Sequence, residues 1–247
     1  MAVAGLLKAS GTTLVTTAAI TVVSFVTSVI SARILGPEGR GLLSGALLIT
    51  MLAGNASLFG LANSFIYHRG AGRPFRYGLL LVLSLLFVGA FSMLLALLGM
   101  QVTDNARLHA QLPLILLLAS ATAGQGFFYA LSQLHDRLRF FNAMRLLLVL
   151  GNLALLLALL AVFDRVEFQY VLAAQLVVAV ALTALGIGWA FRHAVWRMPA
   201  SPQAPATWRG VLSYGAGHHG TVLLSLILVN FDKIALLHIG TMVQYGF

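Results

Sequence analysis

Apolar residues fall into seven long runs along the chain, at about 11–35, 41–67, 78–101, 111–134, 144–163, 169–191 and 211–240. Each matches or exceeds the ~20 residues that a helix needs to cross the hydrocarbon core of a bilayer. The runs do not alternate apolar and polar in twos, so membrane-spanning strands are not indicated. The gaps between them are short and carry helix breakers: Gly36, Pro37, Gly39 and Gly41; Gly70, Gly72 and Pro74; and Pro199, Pro202 and Pro205. Proline lacks the backbone donor and clashes with the preceding helical turn, so these positions end helices. The pattern predicts an all-α polytopic membrane protein. It has a six-helix transmembrane lobe over residues 1–192, a Pro-rich linker over 193–210, and a seventh transmembrane helix over 211–247 that opens a second lobe.

Composition agrees. Hydrophobic residues make up 60% of the 247 and charged residues 9%, against about 25% charge in a soluble domain. The net charge of +9 does not indicate nucleic-acid binding, because the basic residues sit in the gaps between apolar runs and form no single patch with interleaved aromatics. Cysteine is absent, which excludes disulfides and thiol chemistry. The first run is too long for a signal-peptide core and reads as a retained span.

Basic residues in alternate gaps set the orientation. One side holds ten: Lys8, Arg69, Arg73, Arg76, Arg137, Arg139, Arg145, Arg192, Arg197 and Arg209. The other holds four: Arg33, Arg40, Arg107 and Arg165. The N-terminus is therefore expected in the cytoplasm, and the end of span seven outside.

Spans one and seven share a pattern. With Gly36 set against Gly240, Gly11 meets Gly215, Thr17 meets Thr221, Thr21 meets Ser225 and Ser28 meets Asp232. Six spans separate the two, an even number, so both run in the same direction and form a parallel repeat about an axis along the membrane normal. The second copy is expected to continue past Phe247 as a second six-helix lobe.

The polar faces of these two spans hold the candidate site. Span one carries Ser10, Thr13, Thr17, Thr21, Ser24, Ser28 and Ser31 at spacings of three and four, on one helical face. Such a stripe either packs helices closely or walls a hydrated cavity. Span seven carries His218, Thr221, Ser225 and Asp232 at spacings of three, four and seven. A carboxylate in the bilayer costs about 2.5–3.5 kcal/mol on the insertion scale and needs water or a partner. Lys233 is not that partner, because adjacent residues point about 100° apart on a helix. A polar lock between helices and a cavity wall both account for this face. Asn55, Asn63, Gln125, Asn152, Gln175 and Asn230 read individually as interhelical hydrogen-bonding groups. Arg137, Arg139 and Arg145 stand with Phe140 and Phe141 in a basic-aromatic stretch. It serves either as orientation charge with aromatic anchors or as a contact for anionic lipid or a phosphate-bearing head.

No nucleotide-binding loop, catalytic triad or carboxylate pair at one depth occurs, so neither an enzyme nor ATP-driven transport is indicated, and no cofactor is expected. His218–His219 has no third ligand nearby, so no metal site is expected.

The segments "ARILGPEGRGLLSGALLIT", "RLRFFNAMRLLLVLGNLALLL" and "YGAGHHGTVLLSLILVNFDKIALLHIG" resemble the polysaccharide (O-antigen type) flippases of the multidrug/oligosaccharidyl-lipid/polysaccharide exporter superfamily. The matching features are the turn at Gly36, Pro37 and Gly41, the basic-aromatic entry at Arg139 to Arg145, and the run from Asp232 to Gly240. The resemblance covers the whole chain in topology and rests on the order and spacing of loose motifs. It implies two six-helix bundles around a cavity lined by spans one and seven. It also implies a cargo of undecaprenyl-diphosphate-linked oligosaccharide, moved across the bacterial inner membrane by alternating access and coupled to H+ or Na+. The expected roles are cavity contacts for Thr17, Thr21, Ser24, Ser28, His218, Thr221 and Ser225, ion coupling for Asp232, and lipid or head-group contact for Arg137, Arg139 and Arg145. Span one carries no basic residue at bilayer depth, which ranks lipid II lower among cargoes. Two rivals remain: a multidrug exporter on the same scaffold, and a non-transporting membrane scaffold of a glycan-assembly complex.

Overall fold

A computed structural model describes the backbone of residues 2–134, 138–195, 197 and 204–239, and the side chains of these residues from 11 to 237. All regular structure among the described residues is helical, with no strand. Six helices are long and apolar enough to cross a membrane, and the first of them, Gly11–Gly70, takes in two of the seven apolar runs.

That first stretch is where the chain departs most from a simple row of spans. Helix α1 runs over Ala2–Ser57 and contains one non-helical residue, Gly36, at φ 66 and ψ 177. Glycine reaches this region without the steric cost that a Cβ brings. Pro37 follows, at a position where a helix start has no use for its missing N–H. In a continuous helix Ser28 and Arg40 would lie about 18 Å apart. The Arg40 Nη2 is 2.8 Å from the Ser28 Oγ, so the chain reverses at Gly36 and α1 is a hairpin of two arms. The Gly-Pro turn was expected between spans one and two. The structure makes it without an intervening loop.

The second arm ends at another break. Phe59 at φ 47 and Gly60 at φ 62 are both left-handed, and α2 then continues over Leu61–Gly70. After it come α3 (Tyr77–Gly99), the short α4 (Ala106–His109), α5 (Leu112–Leu131), α6 (Arg139–Val162), α7 (Phe168–Arg192) and α8 (Trp208–Ile239). Helix α5 is central, packed against α1, α2, α3 and α7. Its contact with α7 is close. Thr183 Oγ1 lies 3.1 Å from the Ala121 carbonyl across the contact and 2.9 Å from the Ala179 carbonyl of its own helix, a Cβ on Gly124 would meet Thr183 at 3.0 Å, and a Cβ on Gly186 would overlap the Phe128 ring. Small residues with a bridging hydroxyl are how helices approach one another where lipid offers no hydrophobic drive.

The loops gather at two opposite ends. At one, Arg107 pairs with Glu38 at 2.8 Å and Gln111 donates to Gln169 at 3.0 Å. At the other, Arg69 donates to the Arg197 carbonyl and the Ala206 N–H donates to the Pro74 carbonyl at 3.0 Å. An apolar core fills each half, one around Leu42, Leu43, Ile115 and Leu172, the other around Phe65, Tyr77, Phe127 and Phe128.

Helix α8 docks on α2 and on the second arm of α1. Ser64 Oγ donates to the Val211 carbonyl at 2.6 Å, Tyr67 stacks on Tyr214 at 4.2 Å, and Phe75 meets Trp208 edge-on at 4.9 Å. Further along, a Cβ on Gly45 would meet Leu237 at 3.1 Å. Helix α8 is thus antiparallel to the second arm of α1 and runs in the same sense as the first. The segment expected as a linker is attached at both its described ends, through buried Val195 and through Ala206.

Candidate functional site

The first arm of α1 carries its hydroxyls toward α6 and α7. Ser24, Thr27, Ser28 and Ser31 line a cavity of about 280 Å³ with Asn152 of α6, Gln175 of α7 and Arg40 of the second arm. Thr27 is committed locally, its hydroxyl donating to the Val23 carbonyl at 2.8 Å, and Ser31 Oγ donates to the Ser28 carbonyl at 3.0 Å. Arg40 spans the two serines, with Nη1 2.9 Å from Ser31 Oγ and Nη2 2.8 Å from Ser28 Oγ. Asn152 brings a buried Oδ1 that accepts no hydrogen bond. Apolar side chains, Leu43, Leu47, Val149, Leu156 and Val171 among them, complete the wall. Among the described residues no carboxylate lines it.

Sequence reading counted Arg40 with the external loop. The reversal at Gly36 turns it back against span one instead. The cavity beside span one holds a basic residue, supplied by the next segment. The signal was present: a basic residue one helical turn after a Gly-Pro break, and hydroxyls five and eight residues before it.

Toward the other end of the stripe, Asn142 Nδ2 donates to Thr13 Oγ1 at 3.1 Å and Arg145 Nη1 reaches Thr17 Oγ1 at 3.5 Å. Arg145 also lies over the Phe141 ring, 5.4 Å from its centroid. Thr21 donates to the Thr17 carbonyl at 3.0 Å and is exposed. Arg139 opens α6 and is exposed. Arg137 lies outside the described residues.

Helix α8 places its polar face elsewhere. Thr221 and Ser225, with Asn55 and Asn230, line a separate shallow groove of about 410 Å³ between α8 and the second arm of α1. Thr221 donates to the His218 carbonyl at 2.8 Å. His218, Asp232 and Lys233 are exposed. The stripes of spans one and seven therefore do not meet in one cavity within this chain. The histidine that makes a long-range contact is the neighbour, His219, whose Nε2 is 2.7 Å from the Ala56 carbonyl. Among the described residues no group of three or more His, Asp or Glu side chains is placed to hold a metal ion.

Comparison with curated proteins and with solved structures gives no match. Residues 6–246 match the family described as polysaccharide biosynthesis protein. With that match running nearly end to end over a multi-pass helical membrane chain, the protein belongs to the polysaccharide biosynthesis protein family.

Proposed function

We propose that the chain forms the first lobe of a flippase that carries lipid-linked oligosaccharide across the bacterial inner membrane by ion-coupled alternating access, with the N-terminus in the cytoplasm. The observation that carries this is the cavity beside span one. It is lined by hydroxyls, amides and a guanidinium, and it lies within helices otherwise built to face lipid. A sugar head is rich in hydroxyls and suits such a wall, while the undecaprenyl tail stays in the bilayer. Family membership supports the tie to polysaccharide synthesis. The role moves cargo and makes no covalent bond.

Asp232 is the proposed ion-coupling group. It is exposed on α8, and a carboxylate that gains or loses H+ or Na+ changes its burial cost between states. The exposed face of α8, with His218, Thr221 and Ser225, is proposed to face a second lobe across the transport path. Arg139 and Arg145, and Arg137 beside them, are proposed to meet the phosphate-bearing head or anionic lipid at the cytoplasmic entrance.

The experiment is reconstitution of the full-length protein in vesicles with fluorescently tagged undecaprenyl-diphosphate oligosaccharide. Transfer to the opposite leaflet should occur and should depend on a pH or Na+ gradient. Asp232→Asn should abolish the gradient dependence. A protein that sorts no labelled lipid across the bilayer, yet copurifies with a glycan polymerase, would instead be an assembly scaffold.

A further inference from the structure

The turn after α2 and the start of α8 lie side by side. The Ala206 N–H donates to the Pro74 carbonyl and Trp208 packs edge-on against Phe75, so residues 73–76 run alongside residues 206–209. The Arg69 guanidinium donates to the Arg197 carbonyl, which ties in the chain just past α7. Five arginines are gathered here from three stretches of chain: Arg69, Arg73 and Arg76; Arg197; and Arg209. Among the described residues none of them pairs with an acid, the one ion pair being Arg107 with Glu38 at the opposite end. Asp104, Asp164 and Glu167 stand in the loops of that opposite end. Asp232 is about 35 Å along α8 from Arg209, and Asp136 lies outside the described residues. Arg73 and Arg69 rest over the rings of Tyr67 and Tyr77, 5.8 and 5.7 Å from the centroids. The rings orient the guanidinium groups and leave the charge uncancelled. Like charges gathered in one folded seam repel, and an anion between them relieves the repulsion.

The surrounding surface shows what carries that anion. Arg76 is followed three residues on by Leu79, and Arg209 by Leu212. All four side chains are exposed. The start of α3 and the start of α8 thus each pass from a guanidinium to bare apolar surface within about 4.5 Å of helix. Tyr67, Tyr214 and Trp208 are exposed beside them, and such rings stand at the level of lipid head groups. An acidic protein would match the charge but has no need of the apolar rim.

We propose that an anionic phospholipid occupies the seam between the α2–α3 turn and the start of α8, with its phosphate held by Arg73, Arg76 and Arg209 and its acyl chains laid against Leu79 and Leu212. The lipid fastens α8 to the helices before it. Its leaflet is the cytoplasmic one on the orientation proposed above; the binding depends on neither that orientation nor the cargo.

The test is thermal unfolding of the delipidated full-length protein in neutral detergent, titrated with short-chain phosphatidylglycerol, short-chain phosphatidylcholine, inorganic phosphate or polyglutamate. Phosphatidylglycerol should raise the midpoint saturably at concentrations where phosphatidylcholine does not, and the effect should weaken as KCl is raised. Arg76→Gln and Arg209→Gln should each weaken the apparent affinity about fivefold, and the double variant should lose more than either. Arg165→Gln, an exposed arginine at the opposite end, should leave it unchanged. Equal stabilisation by phosphatidylcholine, no stabilisation by any probe, or unchanged affinity in the double variant overturns the proposal. So does inorganic phosphate acting as well as phosphatidylglycerol, which assigns the seam to a free anion, or polyglutamate acting better, which assigns it to an acidic protein. Should the double Gln variant not fold, Arg76→Lys with Arg209→Lys keeps the charge and must keep the preference for phosphatidylglycerol; loss of that preference overturns the proposal as well.

Discussion

The imidazole of His219 meets the carbonyl of Ala56 across 2.7 Å, joining α8 to the second arm of α1. A carbonyl only accepts, so Nε2 carries the proton. Ala56 lies just before the left-handed pair Phe59 and Gly60, where the helix stops and its last carbonyls lose their own partners. His219 takes one of them. The interruption in the second apolar run thus serves as a socket for the seventh span.

Two adjacent histidines should therefore respond differently. His219→Ala strands the Ala56 carbonyl and removes the ring that lies 5.5 Å from Phe59. It should cost about 1–3 kcal/mol. His218→Ala, on the exposed side of α8, should change stability by less than about 0.5 kcal/mol. Thermal unfolding of the two variants in the same detergent measures the difference.

Glycine-to-alanine changes should hurt most where helices cross backbone to backbone. At Gly60 a Cβ would overlap the Gly215 carbonyl, and φ is +62 as well, so Gly60→Ala should detach α8 from α2. Gly186→Ala drives a methyl into the Phe128 ring and should cost about 1–3 kcal/mol through overpacking. Gly188, where an added Cβ meets nothing, is the matched control and should be stable or better as alanine. Limited proteolysis between α7 and α8 should separate Gly60→Ala from the other two.

The Arg107–Glu38 pair should matter little to stability. Both side chains are more than half exposed, and such pairs contribute about 0–1 kcal/mol. Replacing either by Gln should move the melting point by no more than a degree or two, and less still at high salt.

At the other end of the hydroxyl stripe, Arg145 contacts Thr17 only at 3.5 Å, too long to hold helices together. Arg145→Gln should leave the fold intact and reduce transfer of lipid-linked oligosaccharide several-fold in reconstituted vesicles, with a matching loss of ionic-strength dependence. Thr17→Val should change neither by a measurable amount.

The spans themselves were legible in the sequence because burial in lipid imposes a length and an apolarity that no loop satisfies. Their polar faces were legible from the three-and-four spacing of hydroxyls, and Ser24 and Ser28 do line a cavity. What did not show was which elements face each other. Helix periodicity says that Thr221 and Ser225 share a side, yet not whether that side meets span one or Asn55 on the second arm. Nor does a one-dimensional charge count reveal that a residue beside a turn folds inward. Arg40 and Arg33 read alike on sequence, four residues after Gly36 and three before it. They differ because the reversal aims one at the stripe. His219 and His218 are the same lesson one residue apart, since a step of about 100° decides between a socket and open surface.

The reversal at Gly36 also fixes a spacing. Turns ordinarily tolerate added residues better than helices do. Here a single residue inserted between Pro37 and Arg40 would swing the guanidinium about 100° around its own helix, out of the cavity and toward acyl chains. The stretch from Gly36 to Arg40 therefore works as a ruler rather than a connector. With Gly36 and Arg40 in place, its length decides whether the guanidinium meets the cavity.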